Sequence, residues 1–206
     1  ESDDSNYGFS MKYMGSGTGT ANRYALFMDN ENGTAFEAMT ILQDGKTGIG
    51  TDSPDVPLHI KSTATGALLR LESTEAGSGS SPTIDLYRNS ASPAVSDFIG
   101  NILFSGTNDN SGEKVNYAEM EVFIEDETDT TENAAIKFNV YEMGTPRTNF
   151  TIGSTLMTFN QSQRNVDVRM LSDDGTNNFF SDASTNRIGI GTNAPTGTLS
   201  IQSSGH

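Results

Sequence analysis

The chain of 206 residues contains no cysteine. Disulfides therefore contribute nothing to its stability, and zinc–thiolate sites are excluded. A secreted module of this size commonly carries disulfides. Their absence fits a chain that folds in a bacterial cytoplasm and works outside the cell. Basic residues are scarce: 12 Lys and Arg stand against 27 Asp and Glu, for a formal net charge of -15. Phosphate recognition needs clustered Lys and Arg, so nucleic acid is not an expected partner, and an anionic membrane surface is disfavoured for the same reason. Acidity of this kind serves solubility and keeps particles apart in a salty or crowded medium. No stretch approaches the about 20 apolar residues of a membrane span, so no membrane insertion is expected. No charged-then-apolar start resembles a signal peptide. The opening "ESDDSNYGFS" reads as a continuation from a preceding domain.

Apolar residues are also few, at 33% of the chain. An ordinary globular chain is roughly 45–50% apolar when glycine is counted, and the 21 glycines here do not close the gap. Either disorder or burial against identical neighbours accounts for such a shortage. Period-two alternation favours the second. In "VNYAEMEVFIE", Ala118, Met120, Val122 and Ile124 fall on one face, while Tyr117, Glu119, Glu121, Phe123 and Glu125 fall on the other. In "AIKFNVYEM", Ile136, Phe138 and Val140 share a face, and in "PTIDLYR" Ile84 and Leu86 do. "DFIGNILF" carries two apolar rows and predicts a strand buried on both sides. "GTNDNSGEK" and "EDETDTTEN" read as hairpin loops, "TEAGSGSSP" as a linker, and Asn32-Gly33 as a tight turn. No segment combines a helical start, stripe and stop. The expected fold is all-β.

One phrase occurs twice. "GIGTDSPDVPLHI" begins at Gly48 and "GIGTNAPTGTLSI" at Gly189, with seven of thirteen positions identical. The resemblance extends upstream through an apolar strand, an acidic turn and an aromatic residue. The layout is therefore an N-terminal repeat unit (1–63), a central insert (64–161) and a C-terminal repeat unit (162–206). The glycines around Ile49 permit positive φ and close approach of another backbone. Next to a threefold axis, three copies of Ile49 could meet while the glycines let the chains close in. Two apolar side chains per short strand are too few for a monomer, at roughly 1.5–3 kcal/mol each. Ile49, Leu58 and Ile60, with Ile190, Leu199 and Ile201, are accordingly the expected subunit contacts of a homotrimer. The phrase is not a dinucleotide fingerprint, because no helix follows and the third glycine is missing.

The phrase "GIGT-x-x-P-x-x-x-L-x-I", preceded by "NYGFSMKYMGSGTGTANRYALFMDN…EAMTILQDGKTGIGT", resembles the repeat region of bacteriophage tail fibres and related virion appendages. The insert, from "SPTIDLYRNSASPAVSDFIGNILF" to "ENAAIKF", is similar to a module recurrent in such fibres. GIGT-type phrases also occur in bacterial surface adhesins. The resemblance implies a homotrimeric, β-rich structural protein of the virion, extracellular, that contributes to host attachment. The implied architecture is a central antiparallel β-sandwich or β-prism between short β shaft units. Many such fibres end in a self-cleaving chaperone domain. Nothing here matches it, so no catalytic residue is carried over, and no cofactor is implied.

The remaining candidates are weaker. Asp126, Glu127, Asp129 and Glu132 form an acidic loop that lacks the EF-hand spacing, as does "DNENG" (Asp29–Gly33), and a solvated loop is the expectation; no metal site is assigned. Glu119 and Glu121 share a strand face about 6.6 Å apart. Any i, i+2 pair loosely meets the carboxylate spacing of a glycosidase, so a polysaccharide-degrading tailspike stands as the enzymatic alternative, and a charged outer face as the simpler reading. A bacterial extracellular adhesin or filament is the other alternative. His59 and His206 read as surface residues. Tyr117, Phe123 and Tyr141 lie opposite the main apolar rows. Tyr117 and Tyr141, with the loops around Asn108 and Thr130, are the candidate contact for a host cell-surface glycan or protein.

Overall fold

A computed structural model describes residues 8–15, 22–29, 35–79, 81–110, 112–173, 175 and 177–202. The chain divides into two compact units, 1–83 and 84–206. Asn32-Gly33, the "DNENG" turn beyond its first residue, and His206 lie outside the described residues. Among the described residues the fold is all-β, without helix, in three sheets.

The first unit holds one sheet, with β1 (Phe9–Met14), β2 (Arg23–Asp29), β3 (Ala35–Leu42), β4 (Thr47–Ile49) and β5 (Leu58–Ile60) side by side in chain order. The second unit holds two. The central sheet runs β6 (Phe98–Thr107), β7 (Lys114–Asp126), β8 (Asn133–Glu142), β9 (Thr145–Ile152) and β10 (Met157–Phe159). The third is β11 (Val168–Leu171), β12 (Asn177–Asp182), β13 (Arg187–Ile190) and β14 (Leu199–Ile201). Neighbours are antiparallel except β4 with β5 and β13 with β14, which are parallel.

Turn chemistry sets the central register. The two acidic or amide-rich loops join β6 to β7 and β7 to β8, as their composition predicts. In the second, Asp126 Oδ1 accepts from the Thr128 amide at 3.0 Å and Oδ2 from the Thr131 hydroxyl at 3.0 Å. These bonds, led by that of the Thr128 amide, hold the Asp126 carboxyl below its usual range. Only Met143 and Gly144 separate β8 from β9. Both have positive φ, 50° and 74°, as a two-residue turn needs to follow the strand twist. β9 and β10 escape the alternation analysis, although Phe150, Ile152, Met157 and Phe159 carry the same signal.

Two strand expectations need correction. "PTIDLYR" is outside every sheet: each described residue of 61–89 is exposed and none joins a ladder. Leu86 instead lies across β6 at Gly100, where an added Cβ would meet it at 3.0 Å. "DFIGNILF" forms β6, but as an edge strand with Phe98, Ile102, Leu103 and Phe104 all exposed. Its two rows find no covering layer among the described residues of its own unit.

Each sheet is a single layer. In the second unit, Ile102, Phe104, Phe138, Val140 and Ile152 of one sheet and Ile188, Ile190, Leu199 and Ile201 of the other are exposed, so neither apolar face has a covering layer. Stable domains stack at least two layers around a core. Here the buried hydrophobic residues, among those described, are Ala25, Ala135 and Phe180.

Candidate functional site

The repeated phrase builds the same device in both sheets. β4 and β5 pair in parallel, Gly48 opposite His59 and Ile49 opposite Ile60; β13 and β14 do the same, Gly189 opposite Ser200 and Ile190 opposite Ile201. The ends are tied alike, by Lys61 N to Ile49 O at 2.9 Å and Gln202 N to Ile190 O at 2.8 Å. The connection is short for a parallel pair, and the glycines make it feasible. A Cβ at Gly48 would fall 2.2 Å from Thr51 O, and at Gly189 2.3 Å from Thr192 O. Gly50 and Gly191 have φ of 70° and 71°, with the Lys61 and Gln202 carbonyls 2.3 and 2.2 Å from an added Cβ. Both glycines thus serve a tight crossover inside the chain. The space a side chain would take at each is filled by the chain's own backbone. His59 reaches back over the crossover, its Nδ1 2.9 Å from Asp55 Oδ1.

The six expected subunit contacts all sit on one face of their own sheet. Met11, Leu26, Met39, Ile49 and Ile60 form one row through all five strands of the first sheet, and Leu58, opposite Thr47, flanks it. In the third sheet Ile188 faces Leu199, and Ile190 faces Ile201. Ile49, Leu58, Ile190, Leu199 and Ile201 are exposed and Ile60 is half-buried.

The central sheet repeats this arrangement on a larger scale. Ile102, Met120, Phe138, Phe150 and Phe159 align across all five strands. Gly100, Val122, Ile136, Ile152 and Met157 run beside them, and Phe104, Ala118 and Val140 on the other side. The Phe138, Phe150 and Phe159 rings stack, with centroids 5.7 and 4.7 Å apart. Yet Phe104 is 58% and Phe159 57% exposed, and Ile102, Phe138, Val140, Ile152 and Met157 are exposed as well. Completing the burial of these seven contributes on the order of 1 kcal/mol each. The sum of about 5–10 kcal/mol per chain matches the whole stability of a typical domain.

The opposite face is polar and largely hydrogen-bonded within the sheet, although Asn139 Oδ1 and Thr151 Oγ1 are buried without a partner. Asn139 Nδ2 donates to Glu119 Oε1 at 2.9 Å and to Glu121 Oε2 at 2.7 Å. The Tyr141 hydroxyl donates to Glu119 Oε2 at 3.0 Å. Glu119 is only 6% exposed and Asn139 4%. The reading of Glu119 as part of a solvated outer face is therefore corrected. Leu103 and Asn139, directly opposite it on the two flanking strands, crowd it from water, and both its oxygens receive a donor. Burial, reinforced by the Glu119 carboxylate, pushes the Tyr141 hydroxyl above its ordinary value. Tyr117 is exposed, its hydroxyl donating to Thr107 O at 3.2 Å. Lys137 places its ammonium 4.1 Å from the Phe123 ring centroid. Of the two candidate tyrosines, then, Tyr141 is drawn into the network, while Tyr117, the extra residue of a β7 bulge, is carried over Gly106 and away from the face that alternation gave it. Asn139 and Asn116, which donates to the Tyr141 hydroxyl at 3.5 Å, went unread: an amide in a strand has no signal of its own until its cross-strand partner is known.

Among the described residues no group of three or more His, Asp or Glu side chains is placed to hold a metal ion. No protein-family model and no curated protein sequence matches the chain.

Proposed function

We propose that the chain is a structural segment of a homotrimeric fibre, a phage tail fibre or similar virion appendage, that contributes to host-surface attachment and performs no chemistry of its own. The observation that carries this reading is the single-layer construction. Three sheets each possess an apolar face, none has a second layer within its own unit among the described residues, and the buried hydrophobic residues among those described are two alanines and one phenylalanine. Such a chain needs partners at the moment of folding, and identical copies are the partners always present. The resemblance of the repeats and the insert to tail-fibre modules supports the fibre, and the net charge of -15 supports a particle kept apart from its neighbours.

Attachment is assigned to the start of β7, where Tyr117, the extra residue of a bulge, packs on Gly106 and stays exposed. The test is the mass of the protein in solution, followed by binding to an array of bacterial surface glycans. The reading expects three times the 22.0 kDa of one chain and glycan binding that weakens in Tyr117→Ala. A folded monomer at micromolar concentration would overturn the assembly, and an array without signal would overturn glycan attachment by this segment.

A further inference from the structure

We infer that the apolar face of the central sheet is the main interface between copies, the faces of three chains turned toward one another around a common axis. The inference rests on the trimeric reading above and locates its contact outside the repeats.

The face is built as an interface core. Its middle row, Ile102, Met120, Phe138, Phe150 and Phe159, crosses five strands without a charged residue. At its rim Arg147, opposite Val140, pairs with Glu142 at 3.8 Å. In a chain of charge -15, this is a surface on which copies can meet with few carboxylates, Glu142 being held by Arg147 and Arg164, whereas the other face carries Glu119 and Glu121. The seven exposed side chains offer on the order of 700 Å², taking roughly 150–250 Å² for a fully exposed aromatic. A standard interface takes about 800 Å² from each partner. The area is that of an interface and exceeds an ordinary surface patch.

The occupant follows by elimination. The third sheet approaches it at Phe159, which shares a cavity with Val168 and Phe179, while Ile102, Phe104, Phe138 and Val140 stay exposed. A foreign protein would leave the sheet without a core until the two met. Other copies of the same chain supply a second layer as soon as the first is made. Gly100 and Leu86 mark the boundary: Leu86 packs in the place of the missing side chain at Gly100, closing one corner and leaving the middle row open.

The chain has no cysteine, so a single introduced thiol reports one position. Ile102→Cys, Val140→Cys and Phe159→Cys, treated with a short bismaleimide, are expected to link copies into covalent dimers on a denaturing gel. Leu103→Cys, on the opposite face, is expected to stay single. Phe138→Asp is expected to weaken association at least 100-fold, and Leu103→Lys, which sets a cation opposite Glu119, to leave it unchanged. If the unaltered protein is trimeric but the first three thiols do not link, or link no better than Leu103→Cys, the inference falls and the trimer stands. A trimer that survives Phe138→Asp unchanged has the same consequence. If the unaltered protein is a folded monomer, both fall. The thiol variants keep the question open to refutation should Phe138→Asp not fold.

Discussion

The two faces of the central sheet are finished differently. On one, Glu119 and Asn139 are buried in a web of hydrogen bonds that β7 and β8 complete between themselves. On the other, larger and more hydrophobic side chains remain exposed. Long polar side chains lie along a sheet and bond to one another, so one layer satisfies most of them; Asn139 Oδ1 and Thr151 Oγ1 stay buried without a partner. Apolar side chains standing on a sheet need a second surface. One face is thus largely complete in a single chain, and the other is half of a contact.

Mutations test that contrast in order of expected size. Phe150→Ala removes the middle ring of the stack between Phe138 and Phe159 and is expected to lower assembly stability by about 3–5 kcal/mol, read from thermal melting at fixed protein concentration. A loss below about 1 kcal/mol would mean that the face stays wet in the native protein. Glu119→Ala leaves the Asn139 amide and the Tyr141 hydroxyl short of an acceptor. A loss of about 2–3 kcal/mol is expected, smaller in Glu119→Gln, which keeps one acceptor. The same melting experiment checks it, and an equal loss in both variants would show that the carboxylate charge matters more than the bonds. Lys137→Met, on the central strand of the polar face, removes an ammonium above the Phe123 ring and is expected to cost about 0.5–1 kcal/mol.

Solution conditions separate the faces further. The carboxyls of Glu125 and Asp126 are held below their usual range, by Ser154 and Thr128 respectively. Glu37 is lowered too: burial pushes it up, but bonds from Arg23 and Thr40 outweigh that. A depressed folded value means that the stabilisation is complete above the unfolded carboxylate range near 4. It is lost as pH falls through the folded values. Melting temperatures should therefore hold between pH 7 and 5 and drop below about pH 4. Added salt should tighten association, because it screens repulsion between chains of charge -15 and leaves apolar contact intact. Dissociation on adding salt would instead indicate copies held by ion pairs.

Much of this was legible in the sequence. The alternation around Met120 and Phe138 assigned β7 and β8 and their faces, and loop composition located the two hairpins. The repeated phrase announced a shared device, but its geometry was hidden. That Gly50 is pressed against Lys61 O depends on β5 pairing in parallel with β4, a long-range choice that no local pattern encodes. "PTIDLYR" shows the reverse, a strand-like pattern without a strand, since alternation states only which residues seek cover and not where it comes from. Met143 is a local anomaly. It sits at φ 50° in a two-residue turn where Asn or Gly is easier, and Met143→Asn is expected to raise stability by about 0.5–1 kcal/mol.

Sedimentation equilibrium of the intact chain across nanomolar to micromolar concentration, with folding followed by circular dichroism, tests the central claim most directly. The account predicts a species of three chains whose dissociation and loss of β-structure coincide. A folded single chain that keeps its β-structure on dilution would contradict it.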